Sequence, residues 1–180
     1  MTREETLVEL VDEEGTALGS ATVARAHCSP GLLHRAFSVL LIDADGRLLL
    51  QQRAAAKTRF ALHWANACCG HPAPGESLVA AATQRLREEL GLREVPLTPV
   101  GVYLYQAPDP ASGLVEHEYD HVLIGRVDAG VPLDPDPAEV AALRWLHPAQ
   151  LRRDLAQSVD SHAPWLAGVV SVWESVSRPA

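Results

Sequence analysis

Runs of hydrophobic residues divide the N-terminal part of the chain into short strands. Residues 7–11 alternate between apolar and polar and lead into a turn at residues 12–15. Two further apolar runs, residues 34–42 and 47–52, predict strands that the Asp-Ala-Asp-Gly turn at 43–46 joins as a hairpin. The first part of the chain is therefore predicted to be largely β-structure.

A helix is predicted after this β-region. The Pro-Ala-Pro-Gly segment at 72–75 forces a loop, and residues 77–90 then follow a helical period. Gly91 is expected to end the helix. The apolar stripe of the helix consists of Val79, Ala82, Leu86 and Leu90.

The C-terminal half returns to strands before it ends in helices. Strands are predicted at 100–105, 116–127 and 143–146, a turn-rich segment at 108–113, a small helix from Pro148 and an amphipathic helix from near Pro164. This order predicts an α+β fold, an α/β sandwich in which helices flank a mixed β-sheet. We expect one domain over residues 1–180.

Composition and charge narrow the function. The 180 residues carry a net charge of −8, which disfavours nucleic acid and anionic membrane surfaces as partners. A phosphorylated substrate would therefore need a local cluster of cations or a metal. The N-terminus does not resemble a secretory signal, and the longest apolar stretch, residues 165–173, is too short to span a bilayer. With three cysteines, an odd number, we expect a cytoplasmic protein.

A cysteine and a histidine form the densest group of reactive side chains. In the segment Asn-Ala-Cys-Cys-Gly-His-Pro at 66–72, an extended backbone places Cys69 and His71 on one face and Cys68 on the other. A buried cysteine is often an inert small hydrophobe, and we interpret Cys68 in this way. The glycine, histidine and prolines beside Cys69 favour a reactive role for its thiol.

Two glutamates on a predicted strand indicate a metal site. Glu116 and Glu118 are two residues apart, so their carboxylates share a face and repel each other unless a cation lies between them. Alone, the pair would be interpreted as solvated charges. His27 and His34 are further candidate ligands, because imidazole and carboxylate together suit a divalent transition ion. The remaining histidines are assigned structural roles: His63, His117, His121, His147 and His162.

The predicted helix resembles a Nudix box, a loop–helix motif whose glutamates hold a divalent cation against a diphosphate. The likeness runs from Gly70 through Glu76 to residues 84–91. Arg85 stands where a Nudix hydrolase carries a metal-binding glutamate, which argues against hydrolysis. Arg85 and Glu89 lie on one helix face, so one could bind phosphate while the other holds its metal. A surface ion pair is the alternative interpretation.

Arg53 and Lys57 form a local positive pair in this acidic chain. They follow the second strand of the predicted hairpin. Their charges suit hydrogen bonds to diphosphate oxygens, although two solvated charges would explain them equally well.

Together these segments resemble the type I isopentenyl-diphosphate Δ-isomerases of the Nudix superfamily, over nearly the whole chain. The landmarks are His27, residues 34–38, residues 66–72, the degenerate box ending at 89–91, residues 113–118 and Pro164-Trp165. The resemblance implies an isomerase that interconverts isopentenyl diphosphate and dimethylallyl diphosphate for isoprenoid biosynthesis. It implies antarafacial protonation and deprotonation through a tertiary carbocation.

The resemblance also implies a role for each candidate residue. Cys69 and Glu118 would be the catalytic pair on opposite faces of the substrate, and either could be the donor. One Mn²⁺ or Mg²⁺, or alternatively Zn²⁺, would be held by His27, His34, His71, Glu116 and Glu118. Glu89, with the carbonyl of Cys69, would hold a second Mg²⁺ that bridges to the diphosphate.

The same resemblance assigns the substrate contacts. Arg53, Lys57 and Arg85 would bind the diphosphate. Tyr105 would hydrogen-bond the acidic glutamate, and Trp165 would face the hydrocarbon end. A basic residue that the family can carry ahead of the first histidine is replaced by Val23.

The isomerase is expected to act as a monomer on a small isoprenoid diphosphate, without nucleic acid or membrane. Two rival functions follow from the same residues. A Nudix-type diphosphate hydrolase would release phosphate, and a metal-binding domain would hold an ion without turnover.

Overall fold

Nine strands and four helices are present in the computed structural model, which describes residues 2–177. The strands are β1 (Leu7–Val11), β2 (Ala17–Thr22), β3 (His34–Ile42), β4 (Leu48–Arg53), β5 (Trp64–Ala65), β6 (Cys68–Gly70), β7 (Leu97–Pro108), β8 (Val115–Arg126) and β9 (Val140–Leu146). The helices are α1 (Val23–His27), α2 (Leu78–Leu90), α3 (Pro148–Gln157) and α4 (Leu166–Ser177). Short 3₁₀ turns occupy Arg3–Glu5 and Val159–Ser161.

Strand β3 is the centre of the sheet. It runs parallel to β8 over its whole length, from the pair of His34 with Glu118 to the pair of Ile42 with Arg126. Strand β7 is antiparallel to β8, and the other edge of β3 pairs with β1 and β6. The continuous apolar run of β3 is explained by this position, because both faces of the strand are covered. The predicted mixed sheet is confirmed.

The predicted hairpin between β3 and β4 is confined to its turn. The two strands share one pair, Ile42 with Leu48, and β4 then pairs with β9 and β5. The reason is that residues 37–39 of β3 are already paired with β6. The turn itself forms as predicted, because the Asp43 carboxylate accepts the backbone N–H of Asp45 at 3.0 Å and of Arg47 at 2.8 Å.

Helices cover both faces of the sheet. On the face that we call the α2 face, Phe37 and Leu41 of β3 pack against Leu86. On the opposite face, the α4 face, Leu40 packs in the same cluster as Val169. Alternation of side chains along β3 therefore separates two apolar cores.

Local sequence explains the ends of these helices. Ser77 caps α2 by accepting the N–H of Ala80. Gly91 ends α2 with φ of +69°, the left-handed conformation that glycine adopts without strain. In α4, a Cβ on Gly168 would come within 2.1 Å of the Tyr103 ring, so glycine is needed for this helix to lie against β7.

Four short elements were absent from the prediction: β2, α1, β5 and β6. Their periodicity could not be detected, because α1 has five residues and β5 and β6 have two and three. Most of β2 is exposed and lacks an apolar alternation. Among residues 2–177, no helix has the length and apolar character to cross a bilayer.

Candidate active site

The register of three strands assembles the site on the α4 face. In the sheet, His34 of β3 lies opposite Glu118 of β8, and Glu118 lies opposite Tyr105 of β7. Directly opposed residues point to the same face, so these three side chains are neighbours although they are far apart in sequence. Helix α1 ends at His27, and His71 follows β6.

Five side chains converge to form a candidate metal centre. Their ligand atoms all lie within 4.8 Å of one another: His27, His34, His71, Glu116 and Glu118. The Nδ1 atoms of His27 and His34 each lie 2.7 Å from a backbone carbonyl, those of Val23 and Leu32. Because a carbonyl only accepts, each Nδ1 carries a proton. The lone pair of His34 Nε2 therefore points inward, whereas His27 Nε2 lies 2.8 Å from Glu116 Oε2. The ligand set predicted from the sequence is thus brought together and can hold a metal.

Electrostatics favours a cation at this centre. Burial, followed by the nearby His27, lowers the pKa of His34 to about 4, so its imidazole is neutral near pH 7. Its buried Nε2 has no hydrogen-bond partner among the described residues and lies 3.8 Å from Glu118 Oε1. Burial and the charge of Glu116 raise the pKa of Glu118 well above its usual range. Neutral imidazoles beside crowded carboxylates suit a divalent ion.

An arginine that the sequence analysis did not select also contacts this centre. Arg59 Nε donates to Glu116 Oε1 at 3.0 Å, and Nη1 donates to Glu4 at 3.2 Å. Burial alone would raise the pKa of Glu116, but the hydrogen bond and charge of His27, with the charge of Arg59, lower it. Arg59 lies between elements, where no periodicity indicates the direction of its side chain.

The two adjacent cysteines lie on opposite faces of the sheet, as the alternation predicts. Cys68 is fully buried on the α2 face. Cys69 lies on the α4 face and lines a cavity of about 550 Å³ that Glu118 also lines. Burial, followed by the charge of Asp120, raises the pKa of the Cys69 thiol to about 12. The sulfur lies 3.2 Å from Asn66 Oδ1 and 3.6 Å from Ser38 Oγ.

Asp120 is a buried carboxyl beside the thiol that the sequence analysis also missed. Ser38 Oγ donates to its Oδ2 at 2.7 Å. Burial raises the pKa of Asp120 to about 8, although the Ser38 hydrogen bond acts in the opposite direction. The sequence did contain a signal for Asp120. Every second position of one strand is acidic at Glu116, Glu118 and Asp120, so these side chains share a face.

Aromatic residues close the apolar end of the cavity. Tyr105 Oη donates to Glu118 Oε2 at 2.7 Å. The Trp165 ring lies 5.9 Å from the Tyr105 ring and 5.5 Å from the Phe60 ring, centroid to centroid. Tyr105 and Trp165 both line the cavity, and the catalytic roles assigned to them stay predictions.

The three predicted phosphate-binding cations lie around the same cavity, and each already has partners. Lys57 is paired with Glu139, and Arg85 with Glu88 and Glu89. The Arg53 guanidinium donates to the carbonyl of Arg59 at 2.7 Å through Nη2. It also lies 5.4 Å from the Trp165 ring centroid.

Glu89 lies apart from the five converging ligands. Its side chain is almost fully buried on α2, where Oε2 accepts from Gln51 Nε2 at 3.0 Å and Oε1 is paired with Arg85. Both oxygens are therefore engaged within the protein. The five histidines assigned structural roles also lie outside the metal cluster of the described chain.

The fold is that of a NUDIX domain protein. The family model for the NUDIX domain matches residues 32–168. The structure of DR0079 from Deinococcus radiodurans is similar with a TM-score of 0.74 and 20% identity, covering 93% of this chain and 99% of that one. The MutT protein structure from Methanosarcina mazei Go1 has a TM-score of 0.63 and 16% identity, covering 81% of this chain and 96% of that one. At these identities the likeness shows the fold alone.

Sequence relatives are more specific. The isopentenyl-diphosphate Delta-isomerase of Nocardia farcinica is 61% identical over 171 residues, which is 95% of this chain and 96% of that protein. The isopentenyl-diphosphate Delta-isomerase of Streptomyces coelicolor is 49% identical over 179 residues, 99% of this chain and 87% of that one. The chain belongs to the isopentenyl-diphosphate Delta-isomerase family of NUDIX domain proteins.

Proposed function

We propose that this chain interconverts isopentenyl diphosphate and dimethylallyl diphosphate by moving a carbon–carbon double bond. The observation that supports this function best is that the Cys69 thiol and the Glu118 carboxyl line one cavity. A cysteine adds nothing to a pure metal-binding domain, and two proton-exchanging groups around a slot are what double-bond transposition needs. The family relationship points to the same reaction.

The metal centre would serve the acid chemistry of Glu118. Mn²⁺ or Mg²⁺, or alternatively Zn²⁺, would be held by His27, His34, His71, Glu116 and Glu118. When bound, the ion favours the ionised carboxylate and so makes the carboxylic acid a stronger donor. Tyr105, which contacts Glu118 Oε2, would orient that carboxyl toward the substrate.

Two proton transfers would complete the reaction. One group of the pair adds a proton to the alkene, which forms a tertiary cation at C3. The other group removes a proton from the adjacent carbon, so the double bond is displaced by one position. Because the reaction is reversible, Cys69 and Glu118 exchange donor and acceptor roles between its two directions.

The apolar walls would protect the cation. The π face of Trp165 attracts a positive charge, an interaction that reaches about 2 kcal/mol in a dry site. Trp165 has an exposed fraction of 3%, so little water contacts it. Exclusion of water matters because water would capture the cation as an alcohol.

The diphosphate would lie at the mouth of the cavity. Arg53, Lys57 and Arg85 line the cavity and would donate charge-assisted hydrogen bonds to the diphosphate. Arg85 now neutralises Glu89. If Arg85 turns toward the diphosphate, Glu89 would be left to hold a second Mg²⁺ together with the Cys69 carbonyl.

Isotope incorporation tests the function directly. Purified protein is incubated with isopentenyl diphosphate and Mg²⁺ in D₂O, and product and phosphate are followed by NMR. We expect deuterium in dimethylallyl diphosphate and no free phosphate. Phosphate release would instead identify a diphosphate hydrolase, and bound metal without turnover would identify a metal-binding domain.

Two substitutions test the catalytic pair. Cys69→Ala and Glu118→Gln should each lower turnover by at least about a thousandfold, the scale of a lost general acid or base. Cys68→Ala is the matched control for Cys69, because this neighbouring thiol lies on the α2 face. Near-normal turnover in either pair variant would contradict the assignment.

A further inference from the structure

Asn66 is fully buried and uses its whole hydrogen-bonding capacity at the active site. Its Nδ2 donates to the carbonyls of Val39 at 3.2 Å and Cys68 at 2.8 Å. Its Oδ1 accepts from Trp165 Nε1 at 3.0 Å and from the Cys69 thiol at 3.2 Å. A side-chain amide has two donor hydrogens and two acceptor lone pairs, so every position is filled.

The direction of this amide is fixed by its partners. Both partners of Nδ2 are carbonyl oxygens, which only accept, and the indole N–H of Trp165 only donates. A flipped amide would place oxygen against oxygen at Val39 and Cys68, and N–H against N–H at Trp165. The oxygen of Asn66 is therefore the single atom that joins the Cys69 thiol to the Trp165 indole.

The other contacts of Trp165 are less directional. Its ring packs edge-on against Phe60 and lies tilted by 33° to Tyr105. Aromatic packing tolerates a range of angles, whereas a hydrogen bond weakens steeply when it bends. The bond to Asn66 thus determines the plane in which the indole faces the cavity.

We propose that Asn66 is a positioning residue that fixes the Cys69 sulfur and the Trp165 ring relative to each other at the substrate slot. This inference rests on the proposed function, which places both groups against the hydrocarbon part of the substrate. The competing explanation is that Asn66 only satisfies two backbone carbonyls, one in β3 and one in β6.

A double-substitution cycle separates the two explanations. Turnover is measured for the wild type, Asn66→Ala, Trp165→Phe and the double variant; Trp165→Phe keeps an aromatic ring but removes the N–H. If Asn66 acts through the indole, the two sites are coupled. Asn66→Ala should then lower kcat by about a hundredfold when Trp165 is present, and by less than about tenfold when Trp165 is already replaced by Phe. KM should change little in either background. Equal factors in the two backgrounds would overturn the proposal.

A second variant guards against a loss of folding. Asn66→Asp keeps the oxygen that faces Cys69 and Trp165 but loses the amide donors to the two backbone carbonyls. Positioning predicts that Asn66→Asp retains more activity than Asn66→Ala even if it melts at the same or a lower temperature. A backbone role predicts that activity follows melting temperature, and this result would also overturn the proposal.

Indole NMR gives a readout that does not depend on turnover. The ¹H–¹⁵N signal of Trp165 is identified by its loss in Trp165→Phe. In Asn66→Ala this signal should move upfield, while those of Trp145 and Trp173 stay in place. An unmoved Trp165 signal would contradict the hydrogen bond.

A wild type that fails to isomerise would refute the proposed function, whereas an active wild type with an additive cycle refutes the positioning role alone.

Discussion

Buried carboxylates occur in two contrasting settings, at the metal centre and on helix α2. At the metal centre, Glu116 and Glu118 crowd together with imidazoles, and His34 Nε2 has no partner in the described chain. On α2, by contrast, the buried Glu89 has one oxygen paired with Arg85 and the other with Gln51. In the first setting Arg59 pairs with Glu116, but Glu118 has only imidazole and phenol partners within residues 2–177. In the second setting Glu89 is already paired with an arginine.

This difference shows where a cation is needed for the folded state and where it is optional. Buried charge is costly unless it is compensated, so the first setting favours a resident ion. At Glu89 an ion must compete with Arg85. We therefore expect one ion to bind tightly without substrate and a second ion to bind only when a diphosphate draws Arg85 away.

The largest expected effect comes from removing a ligand at the metal centre. His34→Ala should weaken binding of the tight ion by more than about a hundredfold, because about a hundredfold is already the upper limit for loss of a group outside the coordination shell. Turnover should fall with the bound metal. Glu89→Gln should keep the tight ion and lose the second one. Titration of Mn²⁺ by electron paramagnetic resonance, with and without inorganic diphosphate, counts both ions. Equal loss of the tight ion in the two variants would show that the settings are not distinct.

A smaller effect is expected when the ion pair between Arg85 and Glu89 is removed. Arg85→Ala leaves the buried Glu89 without its cation, which should cost about 2 kcal/mol in the free energy of unfolding. The second ion should then bind without diphosphate and restore part of the loss. Arg87→Ala, an exposed arginine on the same helix, is the matched control and should change stability by less than about 0.5 kcal/mol. Chemical denaturation with and without Mg²⁺ measures the loss of stability and its recovery. If Mg²⁺ stabilises Arg85→Ala no more than it stabilises the wild type, Arg85 and the second ion do not compete for Glu89.

Much of the fold follows from local patterns. The apolar run of β3 and the helix α2 were predicted close to their observed bounds, because period and capping depend on nearby residues. Of the predicted apolar stripe of α2, Val79 is exposed. The pairing partners of β3 could not be predicted. Its parallel register with β8 joins residues about eighty positions apart, and no local signal specifies it.

The candidate site shows the same division. Cys69 and Glu118 were selected because their neighbours in sequence carry the signal. Arg59 and Asn66 were missed as functional residues, because they lie between elements and gain their roles from distant partners, Glu116 and Trp165. Sequence patterns predict which side chains can react, whereas long-range packing decides which ones position them.

The smallest effect concerns Glu139, which balances charge on the neutral side of the cavity. Burial acts to raise its pKa, but the charges of Lys57, Arg3 and Arg85 outweigh burial and lower the pKa to about 2. A carboxyl whose pKa is lower in the folded state stabilises that state. Its full contribution is present when the pH is above the ordinary pKa of 4.5, and the contribution is lost as pH falls toward 2. Glu139→Gln should therefore be less stable than the wild type by about 1 kcal/mol at pH 7.

The pH dependence of that difference is the decisive measurement. Free energies of unfolding at pH 7, 4.5 and 3 should show the gap between wild type and Glu139→Gln narrowing only below pH 4.5, because protonation of the wild-type carboxyl removes the same charge as the substitution does. Glu13→Gln, at an exposed glutamate in the β1–β2 turn, should show almost no gap at any pH. A gap that stays constant down to pH 3 would mean that Glu139 stabilises by packing, and the charge balance on this side would then rest on Glu89 and Arg85 alone.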